Sequence, residues 1–400
     1  MRFTPIAAIA FAAALTACNG GSTSLPGSGA ASLAATRSAH APTAAQLGRW
    51  PRPGPAKRVC GPAPAGFERC YAWVRTDIRG VGKDFTPSGY GPSDLQTAYS
   101  LTTYSENNGS GETVAVVDAY DDPNAASDLA VYRKQFGLPA CGSNGCFTKV
   151  AMGKKQNAGW GQEESLDVDM VSAICPNCNI LLVEASNPSS RSLAAAERYA
   201  TAHASYVSNS WGGPEGDRRV DKAFKVSGVA ITASTGDDGY NATASWPAIL
   251  PWVVGVGGTS LTSTNPREET AWSGAGSGCS KIYKTPYFQQ GVTTGCTKRA
   301  QADSSADANP NTGVAVYDTF SQPGWEVFGG TSVSSPITAS VFALAGNPST
   351  NTPGHLYANT GDLNDIITGS NGSCGAPLCT AGVGWDGPTG NGTPNGIGAF

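Results

Sequence analysis

Gly-Gly-Thr-Ser-Val-Ser-Ser-Pro, residues 329–336, is the stretch from which this chain is best read. Its inner pattern is Gly-Thr-Ser-x-x-x-Pro, and Ser332 is the candidate nucleophile. Residues 334–345 are small and apolar, so a helix is expected to start near Ser332. Its N-terminal dipole would favour negative charge developing beside that residue. A serine hydroxyl is a weak nucleophile and needs a base within hydrogen-bond reach. The sequence has three histidines. His40 lies in a low-complexity leader, His203 ends an Ala-rich helical pattern, and His355 follows Pro-Gly in an expected loop. None has the setting of a serine-activating base, so a carboxylate is expected in that role.

A carboxylate pair in a suitable format lies in Gly-Trp-Gly-Gln-Glu-Glu-Ser-Leu-Asp, residues 159–167. Glu163 and Asp167 are four residues apart, which on a helix puts both on one face. Two like charges so placed resist double ionisation, and one tends to keep a proton. Taken alone, such a pair is more often a solvated helix face. A third piece is Thr-Ala-Ser-Thr-Gly-Asp-Asp-Gly, residues 232–239, at the end of an apolar strand-like run. Open α/β sheets build sites at such strand ends, although an Asp-Gly turn is also an ordinary loop. Asp118, closing Thr-Val-Ala-Val-Val, is a rival catalytic acid. With no histidine to orient, it is read with Asp121 and Asp122 as a strand-end residue near the site.

The turn at Ser332 resembles the nucleophile turn of subtilisin-type serine peptidases. The three motifs together resemble the sedolisin family, the serine-carboxyl peptidases. The likeness runs from about Tyr90 to the C-terminus. It includes residues 114–120, Ser-Asn-Ser-Trp-Gly-Gly (208–213), Val-Gly-Gly-Thr (256–259), Asn-Asp-Ile-Ile (364–367) and Gly-Val-Gly-Trp-Asp (382–386). The resemblance implies a subtilisin-like fold, with Ser332 as nucleophile and Glu163 as base. It makes Asp167 the acid that orients Glu163, and Asp237 the oxyanion-hole residue. It also implies one structural Ca²⁺, held by Asp365, Ile366, Gly382, Gly384 and Asp386. Hard oxygen ligands suit that ion. The family carries a large folded pro-domain, whereas here only residues 19–85 stand between Cys18 and the peptidase part.

Charged residues make up 14% of the chain and the net charge is −4. With no basic run or stripe, nucleic-acid binding is not expected. Arg2, the apolar run 6–15 and Leu-Thr-Ala-Cys (15–18) resemble a bacterial lipoprotein signal cut before Cys18, or an ordinary signal peptide cut nearby. Membrane contact is then expected only through a lipid on Cys18. Ten further cysteines fall into local pairs: 60/70, 141/146, 175/178, 279/296 and 374/379. Their even number and the export signal point to disulfides, with connectivity left open by sequence.

Strand-like runs at 113–117, 180–184, 205–209, 229–233 and 252–256 alternate with helical patterns. The latter cover Asn124–Phe136, Glu163–Ala173, Arg191–Ala202 and Asp217–Val226. That alternation predicts an α/β fold with a mostly parallel sheet and helices on both faces, followed by a C-terminal calcium-binding loop region. The expected organisation is a signal peptide (1–18), a low-complexity tether (19–58), a short Cys-closed pro or linker segment (59–85) and a peptidase domain (86–400). The backbone at 210–212 is expected to pair with substrate as an added strand. The expected function is that of an exported, monomeric, acid-active serine-type endopeptidase on protein or peptide substrates. Its pH profile should be a bell at roughly pH 3 to 5. An inactive surface-binding lipoprotein on the same fold is the alternative. A lipase is disfavoured because Gly-Thr-Ser-Val-Ser is not Gly-x-Ser-x-Gly.

Overall fold

The computed structural model describes residues 53–400, apart from 83–85, 142–144 and 217. The signal segment, Cys18, His40 and the tether up to residue 52 lie outside these residues. Three strands come first, the short β1 (Ala56–Arg58) and β2 (Arg69–Cys70) and the longer β3 (Trp73–Val81). Helices α1 (Pro92–Ala98) and α2 (Thr102–Asn107) lead into the alternating part. It runs β4 (Thr113–Ala119), α3 (Ala125–Gln135), β5 (Phe147–Ala151), α4 (Ala158–Ile174), β6 (Asn179–Ala185), α5 (Ser190–His203) and β7 (Tyr206–Asn209). Strands β8 (Trp211–Pro214), β9 (Ala230–Ser234), β10 (Ser245–Trp246), β11 (Val254–Thr264) and β12 (Arg267–Ala271) follow. The buried helix α6 (Thr331–Ala345) comes late in the chain.

The central sheet has the order β12-β11-β9-β7-β4-β6-β5, with Ser304–Asp307 also pairing β11. Its neighbours are parallel except for β11 with β12. A parallel sheet is covered on both faces, so its strands read as continuous apolar runs. In β4, Val114 and Val116 join the core built with α1, α3, α4 and α6. The intervening Ala115 and Val117 join the core under α5. That alternation is the two-residue period of a strand, and it gives the two-faced architecture expected from the sequence.

Helix α4 begins five residues earlier than the pattern suggested. Asn157 caps it, accepting from the N–H groups of Gly159 and Trp160 at 3.0 and 3.1 Å. The helix expected over Asp217–Val226 is only one 3₁₀ turn, Asp221–Phe224. Ala223 and Phe224 are already buried by that turn, and the Asp221 carboxylate is taken by Trp246 and Tyr283. A longer helix would bury nothing more.

The described residues from 53 onward fall in one compact unit, so the Cys-closed segment packs with the sheet that follows it. β3 pairs antiparallel with the strand Gly324–Gly329, which runs directly into the Ser332 turn. β1 pairs with β3, and β2 pairs with β8. The five disulfides are 60–70, 141–146, 175–178, 279–296 and 374–379, all local as the spacing suggested.

Candidate active site

Ser332 is the second residue of α6 and fully buried. Gly330 precedes the helix at φ 102°, a left-handed conformation that favours glycine. A Cβ at Gly330 would also collide with the Tyr71 carbonyl and crowd Asp237 Oδ2. Pro336 lies inside α6 and has no N–H to give the Ser332 carbonyl four residues back. That carbonyl instead accepts from Ser210 Oγ at 3.3 Å. Ser332 Oγ donates to Ser210 O at 3.0 Å, so the nucleophile turn and the start of β8 are tied in both directions.

Glu163 and Asp167 project from α4, which packs on α6 and is buried along nearly its whole length. Glu163 Oε2 accepts from Ala72 N at 3.0 Å, and Asp167 Oδ1 accepts from Ser210 Oγ at 2.7 Å. Glu163 Oε1 and Asp167 Oδ2 have no hydrogen-bond partner. Burial raises the pKa of Glu163 well above the usual range. The Asp118 charge adds to that rise and the Ser332 hydroxyl opposes it. Asp167 is raised by burial, then by Asp118 and Glu163. Asp118 is itself pushed up to about 8, by burial and then by the Glu184 charge. Three carboxyls in one dry cluster cannot all be ionised, and the structure brings all three together.

Asp237 sits past the end of β9 and is 4% exposed. Its Oδ1 accepts from Thr331 N and Thr331 Oγ1, each at 2.8 Å, while Oδ2 finds no donor. Burial pushes it up to about 7, against the lowering effect of the two Thr331 bonds and of Arg58. The Thr331 bonds aim Oδ2 at the space over Gly330, where the Tyr71 carbonyl also lies.

The surface at 210–212 does pair with an added strand, and that strand is the chain's own. Arg69 and Cys70 lie opposite Gly212 and Trp211 in antiparallel register. Tyr71 N donates to Ser210 O at 3.0 Å. A cleft of about 860 Å³ flanks the segment, bordered by Phe67, Gly212, Gly236, Asp237 and Gly276. Sequence reasoning left these contacts unread. The available signal was a disulfide-closed loop followed at once by Tyr-Ala-Trp-Val. It also missed Ser210 as the hub linking Ser332 to Asp167, although Ser210 lies inside a quoted motif.

The two described histidines, His203 and His355, are engaged elsewhere. His203 stacks on Tyr199 at 4.1 Å on the exposed side of α5. His355 bonds with Asn359. Asp121 and Glu184 pair with Lys149 at 2.7 and 3.2 Å, which assigns Asp121 to the rim of the carboxylate cluster.

In the C-terminal loops, Asp365 Oδ2 accepts from Gly384 N at 2.8 Å, and Asp386 Oδ2 from Gly382 N at 3.4 Å. Thr389 donates twice to Asp386 Oδ1. Burial, with the Asp365 charge nearby, pushes Asp386 up to about 7. Two carboxylates are thus held close in a loop whose turn at Gly384 has φ 81°. Ile366 is buried, and Gly382 has open space around it.

A serine on a helix N-terminus, a buried carboxyl pair on the neighbouring helix and a doubly wound parallel sheet define a subtilisin-like α/β protein. The chain belongs to the subtilase family (peptidase S8), whose sequence model matches residues 146–360. Kumamolisin of Bacillus sp. (strain MN-32) is 28% identical over 365 residues, covering 78% of this chain and 63% of that protein. Sedolisin of Pseudomonas sp. (strain 101) is 25% identical over 381 residues, covering 81% and 63%. The chain therefore spans less than two thirds of the length of these relatives. The solved structure of Pseudomonas sedolisin, a serine-carboxyl proteinase complexed with two molecules of pseudo-iodotyrostatin, matches with a TM-score of 0.66 at 24% identity. That match covers 78% of this chain and 96% of the other, and it is a likeness of fold.

Proposed function

We propose that the protein is a serine-carboxyl peptidase of the sedolisin type, an endopeptidase active in acid. The observation that carries this reading is the convergence of Ser332, Glu163, Asp167 and Asp237 around one strand-binding edge, with no histidine among the described residues in the hydrogen-bond network. Ser332 Oγ attacks the substrate carbonyl carbon and its proton passes to Glu163. Asp167, anchored by Ser210, holds Glu163 and shares its charge. Asp237, protonated, donates from Oδ2 to the tetrahedral oxyanion. A carboxyl kept neutral by an apolar site can serve as such a donor. Glu163 then gives the proton to the leaving amine, and water resolves the acyl-serine by the same route in reverse. The inactive alternative loses ground because all four chemical positions are filled.

Cleavage within chains is supported by the cleft itself. Backbone runs through it on both sides of Tyr71, continuing past Arg69 to Glu68 and beyond. An enzyme that counted residues from a free terminus would need the cleft closed at one end.

Calcium is proposed for the loop that holds Asp365 and Asp386. Two adjacent carboxylates gain from a divalent cation between them, and the carbonyls of Ile366, Gly382 and Gly384 complete an oxygen set suited to Ca²⁺. The ion would tie the C-terminal loops together. Export is supported by five disulfides, which persist in oxidising compartments. Among the described residues no helix is long and apolar enough to cross a membrane, and attachment is assigned to a lipid on Cys18. The deciding assay is hydrolysis of a denatured protein substrate across pH 2 to 8. The reading stands if acid hydrolysis depends on both Ser332 and Glu163, and fails if either can be replaced by Ala without loss.

A further inference from the structure

We infer that this cleft selects substrates for a glutamic acid side chain three residues ahead of the residue whose carbonyl is attacked, in a subsite formed by Ser190 and Gly213. The inference rests on the peptidase reading above and adds a specificity to it. The chain's own strand shows how a peptide lies in the cleft. The Tyr71 carbonyl is over Gly330 beside Asp237 Oδ2, and Ala72 N donates to Glu163 Oε2 at 3.0 Å. A substrate in the same register puts the residue bearing the attacked carbonyl where Tyr71 lies. Glu68 then marks the position three residues earlier.

Main-chain contacts fix that position from two sides. Arg69 and Cys70 pair with Gly212 and Trp211. Glu68 N donates to Pro188 O at 2.7 Å, and Phe67 bridges to Ser189. Between these walls Glu68 is turned inward and is 5% exposed. Ser190 is the first residue of α5, and its Oγ donates to Glu68 Oε1 at 2.7 Å. Oε2 lies against Gly213, where a Cβ would collide with it. The subsite thus needs both a hydroxyl at 190 and a glycine at 213. An aspartic acid side chain, one methylene shorter, would leave Ser190 Oγ out of reach.

The charge state follows from the same contacts. Glu68 Oε2 has no hydrogen-bond partner, and a buried carboxylate ion with a single donor is costly. Burial raises the pKa of this carboxyl, with the Ser190 bond opposing it. The charges nearby are engaged with other groups or face solvent. Arg69 pairs with Asp238, Glu215 accepts from Ser280 Oγ and Lys281 N, and the Arg191 and Lys281 side chains are exposed. The subsite therefore takes the un-ionised side chain, which suits an enzyme working in acid.

The adjoining positions select less. Arg69 meets Asp238, whose side chain is 53% exposed, and exposed ion pairs contribute little. Phe67 is largely open to solvent. Cys70 is held by its bridge to Cys60, a contact that a separate substrate cannot make. Of residues 67–70, Glu68 alone has an enclosed side chain that bonds the wall of the cleft.

The test offers the purified full chain the peptides Phe-X-Arg-Ala-Tyr-Ala-Trp-Val, with X as Glu, Gln, Ala or Lys. Product masses identify the bond cut, and kcat/KM is taken at two pH values. At about pH 3.5, Glu and Gln should exceed Ala by about tenfold, the worth of a buried hydrogen bond and the enclosed methylenes. Lys should be the poorest. Between about pH 3.5 and about pH 5.5 a free glutamate passes its ordinary pKa of about 4.3, and its un-ionised fraction falls roughly fifteenfold. The Glu-to-Gln ratio of kcat/KM should fall by about that factor. Ser190→Ala should narrow the gap between Glu and Ala severalfold, and Gly213→Ala should close it. The peptide series on the unaltered chain decides the matter even where a variant does not fold. Equal kcat/KM for all four peptides, or a Glu-to-Gln ratio flat in pH, would overturn the inference and leave the peptidase reading standing. Cutting at a bond other than Tyr-Ala would overturn the register and the subsite with it. If no peptide is cut at either pH, the peptidase reading fails and takes the subsite with it.

Discussion

Asp237→Asn separates the chemistry proposed for this site from a merely acidic cleft. Asn preserves the shape. Its Oδ1 can accept the two 2.8 Å bonds from Thr331, and its amide then points where Oδ2 now finds no donor. The amide donates at every pH, whereas the Asp237 carboxyl donates only below its pKa of about 7. Burial, the largest cause of that rise, favours the neutral form by about 4 kcal/mol. The sign follows from linkage. A carboxyl raised in the folded state costs nothing below the unfolded value near pH 4, and its ionisation penalty grows as pH rises towards 7. Wild type and Asp237→Asn should therefore unfold alike at pH 3, with the variant the more stable at pH 8, by up to that amount. Activity should show the same crossover. The alkaline limb of kcat/KM should move upward in the variant, with a maximum rate lower by about tenfold, since an amide is a weaker donor than a carboxylic acid. Asp237→Ala, which removes the donor, should cost about a hundredfold or more. Urea midpoints at the two pH values and a pH–rate profile on one peptide measure both effects. Superimposable profiles, with a stability difference that does not grow with pH, would refute a protonated Asp237.

Other outcomes follow from the same geometry. Ser332→Ala should abolish turnover with the melting temperature preserved, because only a buried hydroxyl bonded to Ser210 O is lost; near-parental turnover would remove Ser332 from the mechanism. His203→Ala and His355→Ala should leave the pH–rate profile in place, and a profile displaced by either would restore histidine as the base. Chelation should lower the melting temperature, and Asp386→Ala should mimic it, since an ion bound only by the folded state adds about 2.7 kcal/mol at a hundred times its Kd. Equal melting temperatures with and without chelator would dismiss the calcium site.

Much of the sheet was legible because parallel strands buried on both faces leave unbroken apolar runs such as 113–117 and 180–184. Helix α6 was legible because its small apolar sequence has no other environment to suit it. Glu163 and Asp167 could be paired from their spacing, but their spacing could not reveal that α4 is buried along both sides. That burial depends on α6 and the strand Val314–Asp318 packing on it, contacts between residues far apart in sequence. The turn Asp221–Phe224 misled because a run of alternating charge and aliphatic residues looks amphipathic, while its burial needs are met by two side chains. The segment 59–82 was the least legible. Its strands, β2 and β3, only make sense beside β8 and Gly324–Gly329, which lie over a hundred residues away.

The carboxylates outside the site extend the acid argument to the whole fold. Carboxyls in most proteins are lowered by ion pairs and hydrogen bonds, so stability is lost as pH falls. Here burial dominates at position after position. Asp118, Glu197 and Asp318 are each pushed up to about 8, and Glu184 to about 7, with burial the largest cause in every case. Glu164 and Asp169 on α4 are raised further still, again by burial. Cations offset only part of this: Lys149 reaches Glu184 at 3.2 Å and lowers it, yet burial still outweighs that pair, and Arg75 is paired with Asp77. Arg299 is paired with Asp303, and Arg133 donates to Ser172 and to backbone carbonyls rather than to these carboxyls. The folded chain therefore keeps protons that the unfolded chain releases from about pH 4 upward. Stability should be greatest near pH 4 and fall continuously to pH 8, the reverse of ordinary acid denaturation. Urea midpoints taken across that range at constant ionic strength measure it directly. A midpoint that rises with pH would mean that these carboxyls are ionised and paired in the native state, and the proposed acid-working site would lose the environment that keeps Asp237 neutral.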